Sequence, residues 1–91
     1  MDFEFYRNFI TVAETGNLTT ASKKLALAQP ALSAQIKTLE HYYGAKLIQT
    51  ARGKRQLTLT EAGEAFLGKA RQICRTEETI LLDMQSFNKK A

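Results

Sequence analysis

The 91-residue chain carries 13 lysines and arginines against nine aspartates and glutamates, and 44% of its residues are hydrophobic. This length and composition indicate one small globular domain with a modest core. One cysteine and one histidine exclude a disulfide framework and argue against a zinc site, and no stretch approaches the roughly 18 apolar residues of a membrane helix. The opening MDFEFYRNF is not a signal peptide, and the single thiol suits a reducing cytoplasm.

The first two predicted elements are helices. The first spans roughly Phe3–Thr15, where Tyr6, Phe9, Ile10 and Ala13 form one apolar stripe. Asp2 can cap its start and Gly16 suits the left-handed residue after its end. The second helix opens at Asn17 or Thr19 and ends near Leu25 or Ala26. Its predicted inner face consists of Leu18, Ala21, Ser22 and Leu25.

A third helix is predicted from Gln29 to Tyr43, followed by Gly44 as its end signal. Pro30 fits its first turn, where a missing N–H has no partner to lose. Its apolar stripe consists of Leu32, Ile36, Leu39 and Tyr43. The opposite face carries only small side chains, a proline and one lysine: Pro30, Ser33, Ala34 and Lys37.

Two short strand candidates follow, Lys46–Gln49 and Gln56–Leu59. The turn between them carries three basic residues, Arg52, Lys54 and Arg55. A two-stranded hairpin of this size needs a helical body to pack against.

The last predicted helix is capped by Thr60 and runs to about Phe87. At about 1.5 Å per residue it would be on the order of 40 Å long, more than so small a domain can bury. Its apolar residues are spaced by threes and fours, with Glu77 as the one interruption, and such a seam usually meets a partner helix. They are Phe66, Ala70, Ile73, Ile80, Met84 and Phe87. Gly63 and Gly68 weaken the helix slightly, by up to about 1 kcal/mol each.

The basic charge is concentrated in one segment. Residues 20–59 hold seven lysines and arginines against Glu40 alone, a net charge of +6, whereas residues 1–19 carry −2 and residues 60–91 carry 0. This placement is typical of a protein that binds a polyanion, although a solvated basic face would have the same composition.

The order of elements reads as a helix-turn-helix followed by a wing, a mainly α fold. A recognition helix must enter a major groove about 12 Å wide, and the small face of the third helix suits that approach. Gln29 can pair with a base edge, adenine matching it best, Ala34 can touch a thymine methyl, and Lys37 can reach a phosphate or a guanine edge. The basic wing, residues 50–56, is expected to contact the DNA backbone or the minor groove, with Arg52, Lys54 and Arg55 at phosphates.

Other interpretations remain open at this stage. The sparse face of the third helix could pack on another helix, and winged helices also serve as protein-interaction modules. A winged-helix regulator family such as the molybdate-responsive type is a further possibility. Nothing supports an enzyme: the sequence has no paired carboxylates in a pocket, no phosphate loop and no organised base beside Cys74. His41 is expected to be solvated. We predict no catalytic residue, cofactor or metal.

The chain also resembles the DNA-binding domain of the LysR-type transcriptional regulators. The resemblance covers nearly the whole sequence and rests on FITVAETGNLTTASKKL, AQPALSAQIKTLEHYYGAKLI and LTLTEAGEAFL, in that order. It implies a winged helix-turn-helix at residues 1–60 and a linker helix at 61–88 that dimerises with its twin. It also implies that an effector-binding domain normally follows, so we expect this chain to be a truncated piece of a longer regulator.

The resemblance assigns roles to individual residues. Gln29, Pro30 and Ser33 would start the base-facing helix, Arg52–Arg55 would form the wing, and Thr19, Thr20 and Lys24 would lie near phosphates. Five positions depart from the family pattern: Ser22, Ala28, Ala34, Ile48 and Thr50. Ala28 replaces a capping serine. Ala34 and Thr50 replace arginines. Strong base readout at position 34 and a phosphate contact at position 50 are therefore not expected to match those of other members.

As partners, we therefore expect double-stranded DNA and a second copy of the chain, bound through the last helix. A higher oligomer is expected for the full-length protein. A small-molecule effector would act only through the missing domain, and no membrane is involved. The expected location is the cytoplasm.

Overall fold

In the computed structural model, which describes residues 2–50 and 56–90, four helices surround one core and a two-stranded hairpin packs at its edge. The order is α1 (Phe3–Thr15), α2 (Leu18–Leu25), α3 (Gln29–Tyr43), β1 (Ile48–Thr50), β2 (Leu57–Leu59) and α4 (Glu61–Lys90). The predicted winged helix-turn-helix with a long final helix is confirmed. Arg52, Lys54 and Arg55 lie outside the described residues.

The ends of the helices follow local signals in the sequence. The Asp2 carboxylate accepts from the backbone N–H of Glu4, and Asn17 caps α2 by accepting from Thr20 N–H at 3.0 Å. Gly16 and Gly44 adopt left-handed conformations, with φ of 65° and 68°, and close α1 and α3. Ala26 ends α2 in the same conformation (φ 54°), which an alanine rarely adopts.

The core lies where α1, α2 and α3 meet the hairpin. Its buried apolar side chains come from all of these elements: Phe9, Val12, Ala21, Leu32, Ile36, Leu39, Leu47 and Leu57. One buried polar side chain is paired here, since the Asn8 amide donates to Oε1 of the half-buried Gln35 at 2.7 Å and ties α1 to α3. This hydrogen bond satisfies an amide that would be costly to bury alone.

The hairpin differs slightly from the prediction, because β1 begins at Ile48 rather than Lys46. The Glu40 carboxylate accepts the backbone N–H of Leu47 at 2.8 Å, and Leu47 carbonyl accepts from Thr60 N–H at 3.0 Å. Both backbone groups of Leu47 are therefore used before the strand starts. β1 and β2 pair antiparallel, with Ile48 opposite Leu59.

A long projecting helix gives the molecule its shape. The molecule measures 58 × 26 × 19 Å along its principal axes, and α4 is 30 residues long. The hydroxyl of Thr60 accepts from Gly63 N–H at 2.9 Å, which confirms the predicted cap. None of the helices in the described residues is long and apolar enough to cross a membrane.

Candidate nucleic-acid interface

The outer face of α3 is small and open. Gln29, Pro30, Ala34 and Lys37 are exposed, and Ser33 is half-buried. The opposite stripe of the same helix is almost completely covered, with Leu32, Ile36 and Leu39 at 0 to 2% exposure. The core therefore holds the helix by one face, and the predicted base-facing residues occupy the other.

The first turn of α3 keeps its backbone donors free of a side-chain cap. Ala28 occupies the cap position and makes no side-chain hydrogen bond, as expected from its replacement of serine. Pro30 lies in this first turn. The uncapped N–H groups and the positive end of the helix dipole favour an anion here, such as a DNA phosphate.

The residues predicted at phosphates on α2 differ in their surroundings. Thr20 and Lys24 are exposed, and Lys24 lies in the last turn of the helix. Thr19 is half-buried, and its hydroxyl donates to Gln29 Oε1 at 3.2 Å. Thr19 thus contacts a predicted base-reading residue of the same chain.

The wing is tied to the helix-turn-helix by backbone hydrogen bonds. Leu57 N–H donates to Gly16 carbonyl at 2.9 Å, and Gln56 forms an isolated antiparallel bridge with Asn17. A mixed polar and apolar groove of about 630 Å³ runs between the start of α2 and the hairpin, with Thr20, Gln49 and Thr50 among its walls. Thr50 is exposed at the end of β1. The base of the wing is therefore fixed relative to α2.

A second groove separates α3 from β1. Ser33, Lys37, Glu40 and Lys46 contribute to its walls. Glu40 faces the backbone of Leu47 and Ile48, which leaves lysines as the exposed charged side chains along this groove. Both lysines therefore add positive potential beside the outer face of α3.

The predicted dimer seam on α4 divides into two parts. Phe66 is half-buried against the aromatic rings of α1 and α3, and Ala70 is 1% exposed, so both pack inside the chain's own body. Ile73 is half-buried as well. Only the last three predicted positions, Ile80, Met84 and Phe87, are open, at 52%, 52% and 63% exposure. The expectation of one continuous partner-facing seam therefore needs correcting at Ala70, which has almost no surface left to offer.

Cys74 belongs to the packed part of α4. It is 7% exposed, and burial raises the pKa of its thiol. A raised pKa favours the inert thiol over the reactive thiolate. Among residues 2–50 and 56–90, no group of histidine, cysteine and acidic side chains is arranged to hold a metal ion.

Comparison with known proteins agrees with this geometry. The family model for "Bacterial regulatory helix-turn-helix protein, lysR family" matches residues 3–64. The chain belongs to the LysR family. Over 90 residues it is 39% identical to the HTH-type transcriptional regulator BsdA of Bacillus subtilis (strain 168), covering 99% of this chain and 31% of BsdA. It is 42% identical over 82 residues to the Hca operon transcriptional activator HcaR of Escherichia coli (strain K12), covering 90% of this chain and 27% of HcaR.

Solved LysR-family structures superpose closely on it. The DNA-binding domain in the CbnR_DBD–DNA complex has a TM-score of 0.88 at 35% identity, covering 94% of this chain and 97% of that chain. The BenM_DBD/benA site 1 DNA complex gives a TM-score of 0.86 at 31% identity, covering 96% and 99% of the two chains. The present chain is thus a LysR-family DNA-binding domain, and it spans under a third of the curated relatives described above.

Several features of this LysR domain were not anticipated from its sequence. They are the Thr19–Gln29 and Asn8–Gln35 hydrogen bonds, the Glu40 carboxylate on the hairpin, and a close approach at Gly63. The role of Glu40 could have been suspected, because it is the only acidic residue in the basic segment 20–59. The Thr19–Gln29 and Asn8–Gln35 hydrogen bonds could not have been predicted, because each joins two helices and no sequence periodicity relates the two positions.

Proposed function

We propose that this chain binds double-stranded DNA in a sequence-specific manner and thereby directs transcription as part of a LysR-type regulator. The observation that carries the proposal is the open face of α3, where Gln29, Ala34 and Lys37 are exposed opposite a fully packed stripe. Acidic side chains on this face would repel the DNA phosphates, and the predicted base-facing residues include none; Ser33 and Ala34 are small enough for the helix to approach the groove closely. The CbnR and BenM domains to which the chain is similar are seen in complexes with DNA.

In this proposal each element has a separate task. The α3 residues Gln29, Pro30, Ser33, Ala34 and Lys37 face the bases. Thr20, Lys24 and the wing residues Arg52, Lys54 and Arg55 hold the phosphates, since phosphate contacts position a protein while base contacts specify sequence. The uncapped start of α3 supplies backbone donors beside them.

A homodimer through the last helix is part of the proposal. The exposed residues Ile80, Met84 and Phe87 form a stripe at threes and fours, the spacing that a partner helix covers. Two copies would present two recognition helices to an inverted repeat. We propose a boundary near residue 60, with 61–88 as the linker, a higher oligomer in the full-length protein, and effector control through a domain outside this chain.

The remaining assignments follow from the same role. A DNA-binding regulator works in the bacterial cytoplasm, so we propose that location. We propose no catalytic step, because the curated relatives are transcriptional regulators and the interface offers contacts rather than a reaction.

The test is a titration against a fluorescent duplex with an imperfect inverted repeat and against a scrambled duplex, at two salt concentrations. Several lysine and arginine contacts to phosphate predict a steep loss of affinity with salt. Gln29→Ala should cost about 1–3 kcal/mol at the preferred site and relax base choice there, whereas Lys24→Ala should weaken binding to all sequences alike. Absence of binding to any duplex at low salt, with the dimer intact, would contradict the proposal and favour a protein-interaction module.

A further inference from the structure

One hydrogen bond joins the two helices of the helix-turn-helix at the point where they face DNA in the proposed function. Thr19 is the second residue of α2 and Gln29 is the first of α3. The Thr19 hydroxyl donates to Gln29 Oε1 at 3.2 Å. Thr19 is half-buried by its neighbours, whereas Gln29 is exposed. The hydrogen bond therefore ties an exposed side chain to one whose position is fixed by packing.

The backbone on both sides of this bond is fixed. Asn17 caps the start of α2 through Thr20 N–H, and the Ser22 hydroxyl donates to Thr19 carbonyl at 2.8 Å. Between the helices, Ala26 N–H donates to Lys23 carbonyl and Leu27 N–H to Ser22 carbonyl, at 3.3 and 3.0 Å. A capped α2 start and a hydrogen-bonded turn therefore define where the Gln29 amide is held.

The bond is made by one end of that amide, its oxygen. A glutamine amide has nearly the same shape when turned by half a circle, but the turn exchanges its acceptor oxygen and its donor nitrogen. The Thr19 hydroxyl could also accept from Nε2 of a turned amide, but in the structure it donates to Oε1, and the positive end of the α2 dipole favours the oxygen on the α2 side. The second lone pair of Oε1 and both protons of Nε2 remain available for a base.

We propose that Thr19 is a specificity-determining positioning residue that orients the Gln29 amide toward adenine. This inference rests on the proposed DNA-binding function. Glutamine reads adenine by accepting from N6 and donating to N7, which requires one fixed order of oxygen and nitrogen. Guanine presents two acceptors, O6 and N7, so a freely turning amide that donates toward either of them discriminates less.

This role replaces the phosphate contact expected for Thr19. A threonine hydroxyl has a single proton, so it cannot donate to Gln29 and to a phosphate oxygen at once. The neighbouring Thr20 is exposed, and its side chain remains available for the backbone. The two adjacent threonines thus divide the tasks of orienting a base reader and approaching a phosphate.

The experiment selects binding sites for the wild-type 91-residue chain from a pool of randomised DNA duplexes and repeats the selection with Gln29→Ala. The position whose preference Gln29→Ala removes is the one that Gln29 reads. Affinities are then measured for duplexes with adenine or guanine at that position, using wild type, Thr19→Val and Thr19→Ser. Valine keeps the branched shape and loses the hydroxyl, whereas serine keeps the hydroxyl.

We expect Thr19→Val to reduce the preference for adenine over guanine about tenfold, the scale of one good bidentate base contact. Thr19→Ser should retain the preference. In the Gln29→Ala background, Thr19→Val should have no further effect on base choice, since the two side chains act through one bond. The cap from Asn17 stays in place, and thermal melting of each variant checks that the fold is retained.

Two results would overturn the role of Thr19. Equal weakening of Thr19→Val on adenine and guanine duplexes would identify a phosphate contact. An unchanged preference for adenine would show that the hydrogen bond has no part in readout. Both differ from the failure of the proposed function itself, in which the wild-type chain selects no sequence from the pool.

Discussion

The two halves of α4 have similar apolar spacing and opposite surroundings. In the first half, Ala70 and Cys74 are buried against the body of the domain, and Phe66 packs among aromatic rings. In the second half, the large apolar side chains are more than half exposed, at Ile80, Leu81, Leu82, Met84 and Phe87. A periodic stripe therefore indicates that a helix is covered, but it does not distinguish cover by the same chain from cover by a partner.

The change occurs near Glu77, the residue that interrupts the stripe. Its carboxylate pairs with Arg7 of α1 at 2.9 Å, and Arg71 pairs with Glu14 at 3.5 Å one to two turns earlier. Ile80 follows and shares a small apolar cleft with Phe3 at the start of α1. Beyond it, the described part of the chain provides no cover for α4.

The largest expected difference between the two halves is in the free energy of unfolding. Phe66 lies 4.9 Å from Phe9, edge to face, and 5.3 Å from Tyr43, between ring centroids. Phe66→Ala should lower the free energy of unfolding by about 3 kcal/mol, because it leaves a cavity among these rings. Urea unfolding measured at low protein concentration checks this.

Phe87→Ala is the matched control for that substitution. It removes the same ring from the exposed half, so the stability of the dilute monomer should change by less than about 0.5 kcal/mol. Comparable losses in both variants would show that the two halves are packed alike, contrary to the structure.

A second contrast lies in the two described glycines of the packed half. A Cβ on Gly63 would overlap the carbonyl oxygen of Leu47, whereas one on Gly68 has nothing within 4 Å. Gly63→Ala should destabilise the fold by about 2 kcal/mol, because α4 must move off the hairpin. Gly68→Ala should be neutral or stabilising by up to about 1 kcal/mol. Thermal melting of both variants measures the difference, and equal effects would exclude a close approach at Gly63.

Gly63 shows where sequence reasoning reached its limit. Helix propensity predicts the same modest weakening at Gly63 and Gly68, and it does not show why a glycine is needed at Gly63. Glycine is needed at position 63 because the backbone of Leu47, 16 positions away, lies against the helix there. Hydrogen bonds that join Leu47 to Glu40 and Thr60 hold that backbone in place. No local pattern carries that information.

Features with local physical causes were predicted well. The limits of α1 and α3 follow from Asp2, Gly16, Pro30 and Gly44, all of which act within one turn of their own position. The start of β1 was wrong by two residues, because the bond from Glu40 to Leu47 crosses from another element. In the interface, the open face of α3 was predictable from side-chain size, whereas the bond between Thr19 and Gln29 depends on how two helices meet.

The exposed half of α4 can be tested by its effect on assembly. Ile80→Glu should raise the dissociation constant of the proposed dimer by at least about tenfold, since association would bury an unpaired carboxylate. Gln85→Glu adds the same charge away from the stripe and should leave assembly nearly unchanged. Sedimentation velocity over a range of concentrations reports both. An Ile80→Glu variant that remains as dimeric as wild type would contradict an interface at this half.

The smallest expected effect concerns the aromatic junction that anchors the packed half. The Tyr6 and Tyr43 hydroxyls form a hydrogen bond beside Phe66, and this bond, with a smaller contribution from desolvation, raises the pKa of Tyr43 from 10.0 to about 12. In the unfolded chain Tyr43 ionises first, so its contribution to stability is complete below pH 10 and is lost as the pH rises from 10 toward 12. Tyr43 is 44% exposed, so water screens the effect and keeps it small.

Tyr43→Phe should therefore flatten the alkaline fall in unfolding free energy. Tyr42→Phe, at a 68% exposed neighbour, should preserve the fall. Urea unfolding at pH 8, 10 and 11.5 measures it, and an identical fall in Tyr43→Phe and wild type would show that this hydroxyl does not couple the junction to pH.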